Sequence, residues 1–234
     1  MSEVPAGINI PSQLVRFKYP LPRLKEALKC KRKVKIVAIG SSSTAGADGV
    51  LPYPPTLEML LRQEFYGRMI DVINRGIGGQ EAPEELSRFE SDVMAEAPAL
   101  VIWQVGTNAV YRKEDYNFDD VRAAIAAGLD WLADLPMDVV MMDLQYTRAL
   151  VNPPGKIDLS NQMESLISTT ASDKGVSVFG RFALMRRWVQ DGTPIEDLDD
   201  GAESELHTSD WATNCVAQAL FGAIKLTIDA DGAT

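Results

Sequence analysis

Five short apolar runs, at residues 34–39, 69–74, 99–105, 138–144 and 176–179, recur along this chain with helix-period segments between them. Short runs of Val, Ile and Leu without polar alternation read as strands buried on both faces, and both faces of a sheet are buried only when helices cover them. The segments at 56–66, 83–96, 118–134, 159–173 and 209–225 supply such helices. Leu86, Phe89 and Val93 line one face behind Pro83, which stands as a first helical residue, while Phe118, Val121, Ile125, Leu129 and Leu132 line another. Gly175 stands where the fourth helix needs a left-handed cap. Strands joined through helices run parallel. The expected fold class is therefore α/β: a single three-layer α/β/α flavodoxin-like domain with a five-stranded parallel sheet.

With 234 residues, 46% of them hydrophobic, the chain can bury one sizeable core. Residues 1–33, punctuated by Pro11, Pro20 and Pro22 and holding a short helix at 24–28, are expected to form an N-terminal arm packed on the domain. The domain proper is expected at 34–226, with a C-terminal tail at 227–234. Asp and Glu number 33 against 23 Lys and Arg, and the net charge of −10 argues against a nucleic-acid partner. No apolar run approaches the ~18 residues of a membrane span, and Met1-Ser2-Glu3-Val4-Pro5 does not begin an export signal. As written, the chain is expected in the cytoplasm; it would be periplasmic or secreted if its true start lay upstream. Cys30 and Cys215 stand far apart without a CxxC pair, so both are expected as ordinary buried or half-buried thiols, not as a disulfide or a zinc site.

Chemistry in an open α/β sheet gathers at the C-terminal ends of the strands. Four pieces of sequence fall there or at the start of the last helix: Gly40-Ser41-Ser42-Ser43-Thr44, Asn74-Arg75-Gly76-Ile77-Gly78-Gly79, Gly106-Thr107-Asn108 and His207. The chain holds one histidine, so any mechanism that needs an imidazole base must use His207. A serine nucleophile with a histidine base is the first expectation. Two nucleotide-binding readings fail. The glycine spacing of 40–46 begins like a phosphate loop, but Ala47-Asp48 replace the required Lys and hydroxyl residue; Gly76-Ile77-Gly78 opens the second strand–helix unit and lacks its third glycine.

Taken together, the four pieces resemble in order and spacing the SGNH/GDSL hydrolase family of esterases and lipases, over the stretch from Val34 to Leu220. That resemblance implies Ser42 as nucleophile, since Ser41 occupies a position where the family often has Asp or Ser. It implies an oxyanion hole of three donors: the backbone N–H groups of Ser42 and Gly79 and the side-chain amide of Asn108. It implies His207 as the base, and neither metal nor cofactor. The family carries Asp three residues before its histidine, a position that is Ser204 in this chain. The text Asp199-Asp200-Gly201 followed by Leu206-His207 reads as the family's Asp-Gly-Leu-His with residues 202–205 inserted, which makes Asp200 the displaced orienting acid and Glu203 the second candidate.

The function implied is hydrolysis of small or carbohydrate-borne acyl esters. Two alternatives stay open: a carbohydrate- or ligand-binding protein that keeps the fold without turnover, and an acyltransferase using the same site. The expected partner is a small-molecule or carbohydrate ester, and oligomeric state is open. Tyr111, Arg112 and Tyr116, with Gln145, Tyr146, Thr147 and Arg148, lie in loops that either meet the substrate or pack against one another.

Overall fold

The computed structural model describes residues 11–46, 49 and 51–230. The first ten residues of the expected arm, Ala47 and Asp48 of the first loop, and the last four residues of the expected tail lie outside the described residues. Two helices, α1 (Ser12–Val15) and α2 (Pro22–Cys30), precede β1 (Lys33–Gly40). Then come α3 (Ser42–Ala45), α4 (Tyr53–Glu64), β2 (Met69–Gly76), α5 (Ala82–Leu86), α6 (Phe89–Asp92) and β3 (Leu100–Gln104). The second half runs α7 (Thr107–Tyr111), α8 (Phe118–Ala133), β4 (Asp138–Met142), α9 (Arg148–Val151), α10 (Lys156–Asp173), β5 (Ser177–Phe179), α11 (Arg181–Gln190) and α12 (Asp210–Ala230).

The five strands form one parallel sheet in the order β2-β1-β3-β4-β5. This is the flavodoxin-like order expected from the sequence, with its reversal point between β1 and β3. The pleat divides the core in two. Ile36, Ala38, Leu100, Ile102, Val140 and Met142 face α2, α4 and α12, while Val37, Ile39, Val101, Trp103 and Met141 face α8 and α10. α12 meets the first face with Ala212, Cys215, Val216, Ala219, Leu220 and Ala223, a buried stripe at helical spacing in which three alanines let it lie close to the sheet. Val15, Phe17, Leu21 and Leu24 join the same cluster, so this face of the core extends into the segment before β1. Among the described residues no helix is long and apolar enough to cross a membrane.

Two expectations are corrected. The helix read over 83–96 is interrupted: Pro83 is the second residue of α5, Arg88 leaves helical geometry at φ −113°, and a 3₁₀ turn at Met94–Glu96 closes on Ala97 at φ 47°. Arg88 is drawn out of the helix by polar partners at the strand ends, the Arg75 carbonyl and the Gln80 side chain, each 2.6 Å away. Cys30 is exposed rather than half-buried; only Cys215 is buried.

Gly128 in α8 yields a test of this packing. A mid-helix glycine is ordinarily improved by alanine. A β-carbon at Gly128, however, would stand 2.6 Å from Trp103 and 3.1 Å from Phe89, whose rings already meet edge to face at 4.7 Å. Gly128→Ala is expected to reverse the usual sign and destabilise the fold by about 1–3 kcal/mol, read by urea unfolding; a stabilised variant would show that the Trp103 side of α8 is loosely packed.

Candidate active site

β1 ends at Gly40 and the chain turns at once into α3, so Ser42 is the first residue of a one-turn helix at the carboxyl edge of the sheet. Its neighbours hold it there. Gln104, buried at the end of β3, takes hydrogen bonds on Oε1 from the Ser41 N–H and Ser41 Oγ, both at 3.0 Å, with Thr44 Oγ1 at 3.3 Å. Asn74 donates to the Thr44 carbonyl at 2.8 Å while its own carbonyl accepts the Gly76 N–H at 2.9 Å, fastening the β2 exit to α3. A side-chain carbon placed on Gly78 would sit 3.9 Å from the Ser42 Cβ, so the second turn passes close to Ser42.

His207 reaches this turn from 165 residues away and sets Nε2 3.1 Å from Ser42 Oγ. The loop that carries it is pinned at both ends. Asp199 and Thr208 form an antiparallel bridge, and the Asp200 N–H donates to the His207 carbonyl at 2.9 Å, so residues 201–206 leave and return at nearly one point. Asp200 thereby stands beside His207 although seven positions separate them, with Oδ2 3.8 Å from Nδ1, an ion-pair separation longer than a hydrogen bond. Its other oxygen caps the loop by accepting the Ala202 N–H at 3.0 Å. Arg148 clamps the same loop: its guanidinium grips Asp199 at 2.7 Å through two nitrogens and Glu205 at 2.9 Å through the third. The bidentate Asp199 pair, helped by Glu205 as a second anion, raises the Arg148 pKa above its ordinary value. Glu203 is exposed.

Gly79, at φ 79°, and Asn108 occupy facing turns. The Asn108 side-chain amide donates to the Gln80 carbonyl at 2.8 Å, joining the two. Arg112 and Tyr116 both donate to the Gly79 carbonyl, the latter at 3.3 Å, so these two loop residues pack the turn that the sequence left them either to pack or to leave free for substrate.

Beneath the loops lies a polar core that the sequence did not announce. Gln145, fully buried, accepts from Thr107 Oγ1 at 2.8 Å and from Arg181 at 2.9 Å, and donates to the Leu206 carbonyl, just before His207, at 3.0 Å. Arg181 is itself buried and gives two further bonds to the Asp143 carbonyl; burial lowers its pKa to about 10. The Asp143 carboxyl accepts the Phe182 N–H at 2.9 Å, yet burial outweighs that bond and pushes its pKa up to about 7. Glu81 and Glu85 are buried as well, with pKa values raised first by burial. A pair of glutamates four residues apart, where α5 turns its face to the core, was the signal available in the sequence. Among the described residues no cluster of three His, Cys, Asp or Glu side chains could hold a metal ion.

Room at the site is uneven. A cavity of about 10 Å³ lies against Ser42 and His207, the space of roughly one water. Leu51 and Thr213 border both it and an open groove of about 430 Å³ that runs on past Pro55, Met59 and Asn214 between α4 and α12.

The family profile of the non-GDSL lipase-like proteins matches residues 8–230. The chain belongs to the non-GDSL lipase-like family. Its description excludes the GDSL signature, in keeping with Ser41 at the second position of Gly40-Ser41-Ser42-Ser43. No curated protein gives a significant sequence match. Among solved structures, this family member is similar to Axe2, an acetylxylan esterase from Geobacillus stearothermophilus, at 20% identity and TM-score 0.68, covering 82% of this chain and 94% of that one. It is also similar to LAE5, an alpha/beta hydrolase enzyme from the metagenome of Lake Arreo, at 18% identity and TM-score 0.69, covering 82% and 96%. Catalytic mutants of Axe2 replace a serine, an aspartate and a histidine by alanine, and that aspartate stands three positions before the histidine.

The buried carboxyl under the site has a measurable consequence. Folded Asp143 keeps its proton up to about pH 7, whereas an unfolded aspartate releases it near 4. Stability contributed by this group is full below the unfolded value and is lost as pH rises through the folded one. Asp143→Asn removes that loss, so its urea-unfolding stability relative to wild type is expected to improve by roughly 2 kcal/mol between pH 5 and pH 8. A difference that stays flat, or moves the other way, would mean that Arg181 keeps Asp143 ionised.

Proposed function

We propose that this protein is a serine ester hydrolase of the SGNH type, acting on small or carbohydrate-borne acyl esters. The observation that carries the reading is the 3.1 Å contact between Ser42 Oγ and the chain's one imidazole. In this mechanism neutral His207 takes the Ser42 proton on Nε2 as Oγ attacks the ester carbonyl carbon. The oxyanion that forms is met by the N–H groups of Ser42 and Gly79 and by the Asn108 amide, donors fixed before the reaction begins. Protonated His207 then gives its proton to the departing alkoxide, leaving an acyl-serine. A water activated by the same nitrogen releases the acid. With Nε2 accepting, Nδ1 carries the proton and faces Asp200, whose carboxylate steadies the imidazolium.

Room at the site and likeness to a solved structure both support this substrate class. The open groove of about 430 Å³ that shares Leu51 and Thr213 with the space at Ser42 gives room for a bulky alcohol such as a sugar. The similarity to an acetylxylan esterase supports the same assignment. Axe2 holds its aspartate three positions before the histidine; in this chain the pinned loop 201–206 would bring Asp200 to that task from farther away.

Ser42→Ala is expected to abolish hydrolysis of p-nitrophenyl acetate and labelling by a serine-directed phosphonate, while changing stability by at most about 1 kcal/mol, the worth of a helix cap. Labelling without turnover on any ester, with transfer to an added alcohol, would replace hydrolase by acyltransferase. A folded wild type that neither labels nor turns over would leave a binding protein. For the orienting acid, Asp200→Asn is expected to lower kcat by at least about 100-fold with Glu203→Gln nearly silent; full activity in Asp200→Asn would reduce the triad to a Ser42–His207 dyad.

A further inference from the structure

Glu81 has a task that the mechanism above does not use. It is 1% exposed, and its carboxylate points away from solvent into the space between the turn after β2 and the turn after β3. Oε1 accepts the Gly106 N–H at 2.7 Å and the Ala82 N–H at 3.1 Å; Oε2 accepts the Ala109 N–H at 2.9 Å. Gly106 and Ala109 flank Asn108 in α7, and Gly79 lies two residues before Glu81. Both assigned oxyanion donors outside the nucleophile turn thus hang on one side chain. A further tie between the turns, from the Asn108 amide to the Gln80 carbonyl at 2.8 Å, lies directly beside it, and Arg112 and Tyr116 reach the Gly79 carbonyl from beyond α7.

Resting on the ester-hydrolase reading, we propose that Glu81 is a positioning residue for oxyanion stabilisation: its buried carboxylate clamps the turn of Asn108 to the turn of Gly79. The chemistry requires a carboxylate. Three N–H donors converge on two acceptor oxygens, and an acceptor-only group is the one side-chain end that can receive all of them. A glutamine in its place offers one oxygen and turns an NH₂ toward either Gly106 or Ala109, donor against donor, leaving a buried N–H unmet. Burial raises the carboxyl's pKa and the three donors oppose that rise, as expected of a charge held by hydrogen bonds alone. Glu85, one turn further on, is a natural control. It is equally buried, but its bond goes to the Trp103 indole N–H at 2.7 Å, inside the core and away from the loops.

The experiment compares wild type, Glu81→Gln and Glu85→Gln on p-nitrophenyl acetate and on phenylboronic acid, which forms a tetrahedral adduct with an active serine. If Glu81 sets the oxyanion donors, Glu81→Gln lowers kcat by about 10–100-fold, leaves KM within about threefold, and weakens the boronate by the same factor as kcat/KM. Glu85→Gln keeps kcat within about twofold. Unchanged kcat or boronate affinity in folded Glu81→Gln overturns the proposal, and so does an equal kcat loss in Glu85→Gln, which would make the effect one of general stability. Should Glu81→Gln not fold, hydrogen exchange of wild type decides: protected Gly106 and Ala109 amides support the clamp, and exchange at loop rates overturns it. Failure of the hydrolase reading is a separate result, a wild type without Ser42-dependent turnover, and the exchange measurement then judges the clamp by itself.

Discussion

Gln145 touches three of the four turns of the candidate site without belonging to its chemistry. From the end of β4 its carboxamide reaches Thr107 on the third turn and the Leu206 carbonyl on the histidine loop, and it lies 3.3 Å from Ser43 on the nucleophile turn. Gln104 repeats the pattern one strand away, gathering Ser41, Ser43 and Thr44. Loops at a sheet edge are held mainly by such bonds, since they bury little apolar surface of their own. A buried amide left unpartnered costs about 1–3 kcal/mol, so the loops and the two carboxamides fix one another's positions. Geometry at Ser42 and His207 is in this sense a property of the two glutamines and of the strands that aim them.

That arrangement explains why so much charge lies inside an acidic protein. Arg181 satisfies its guanidinium on the Asp143 carbonyl and on Gln145, turning a buried cation into the floor beneath the loops. Asp143 answers in the other direction: its carboxyl has one N–H donor, and burial favours the protonated form. Glu81 collects three donors, whereas Glu85, with one, is pushed well above its ordinary pKa by burial and by Glu81's charge. The interior thus sorts its ionisable groups by the number of hydrogen bonds each receives, and the well-supplied ones are those that hold loops.

The fold was legible because period and burial agree: runs such as Leu100-Val101-Ile102-Trp103 are buried on both faces, and Val121, Ile125 and Leu129 mark a single helix face. α11 escaped because a single residue separates it from a strand only three residues long and it is dense in arginine, though Phe182, Met185 and Trp188 keep the helical spacing. The one-turn helices α3, α7 and α9 carry too few residues for any period to show. The serine, glycine, asparagine and histidine that the sequence singled out come to one edge of the sheet. Their supports did not stand out, because Gln104, Gln145 and Glu81 act through where their side-chain ends meet, and that depends on residues far off in sequence.

The loop 199–208 shows how an acid seven positions before an imidazole can still stand beside it. Adding residues between an acid and the imidazole it faces would ordinarily carry the two apart. The loop is instead closed on itself: the Asp199–Thr208 bridge and the Asp200-to-His207 backbone bond bring its ends together, and Glu205 takes the left-handed conformation at φ 51° to make the return. Closing a loop of this size costs little more entropy than a shorter one. What the closure does require is an anchor, and Arg148 provides it by holding Asp199 on one side and Glu205 on the other. The separation of 3.8 Å between Asp200 and Nδ1 is the residue of that solution, since a loop anchored through Asp199 places its neighbour beside the imidazole without drawing it into hydrogen-bond contact.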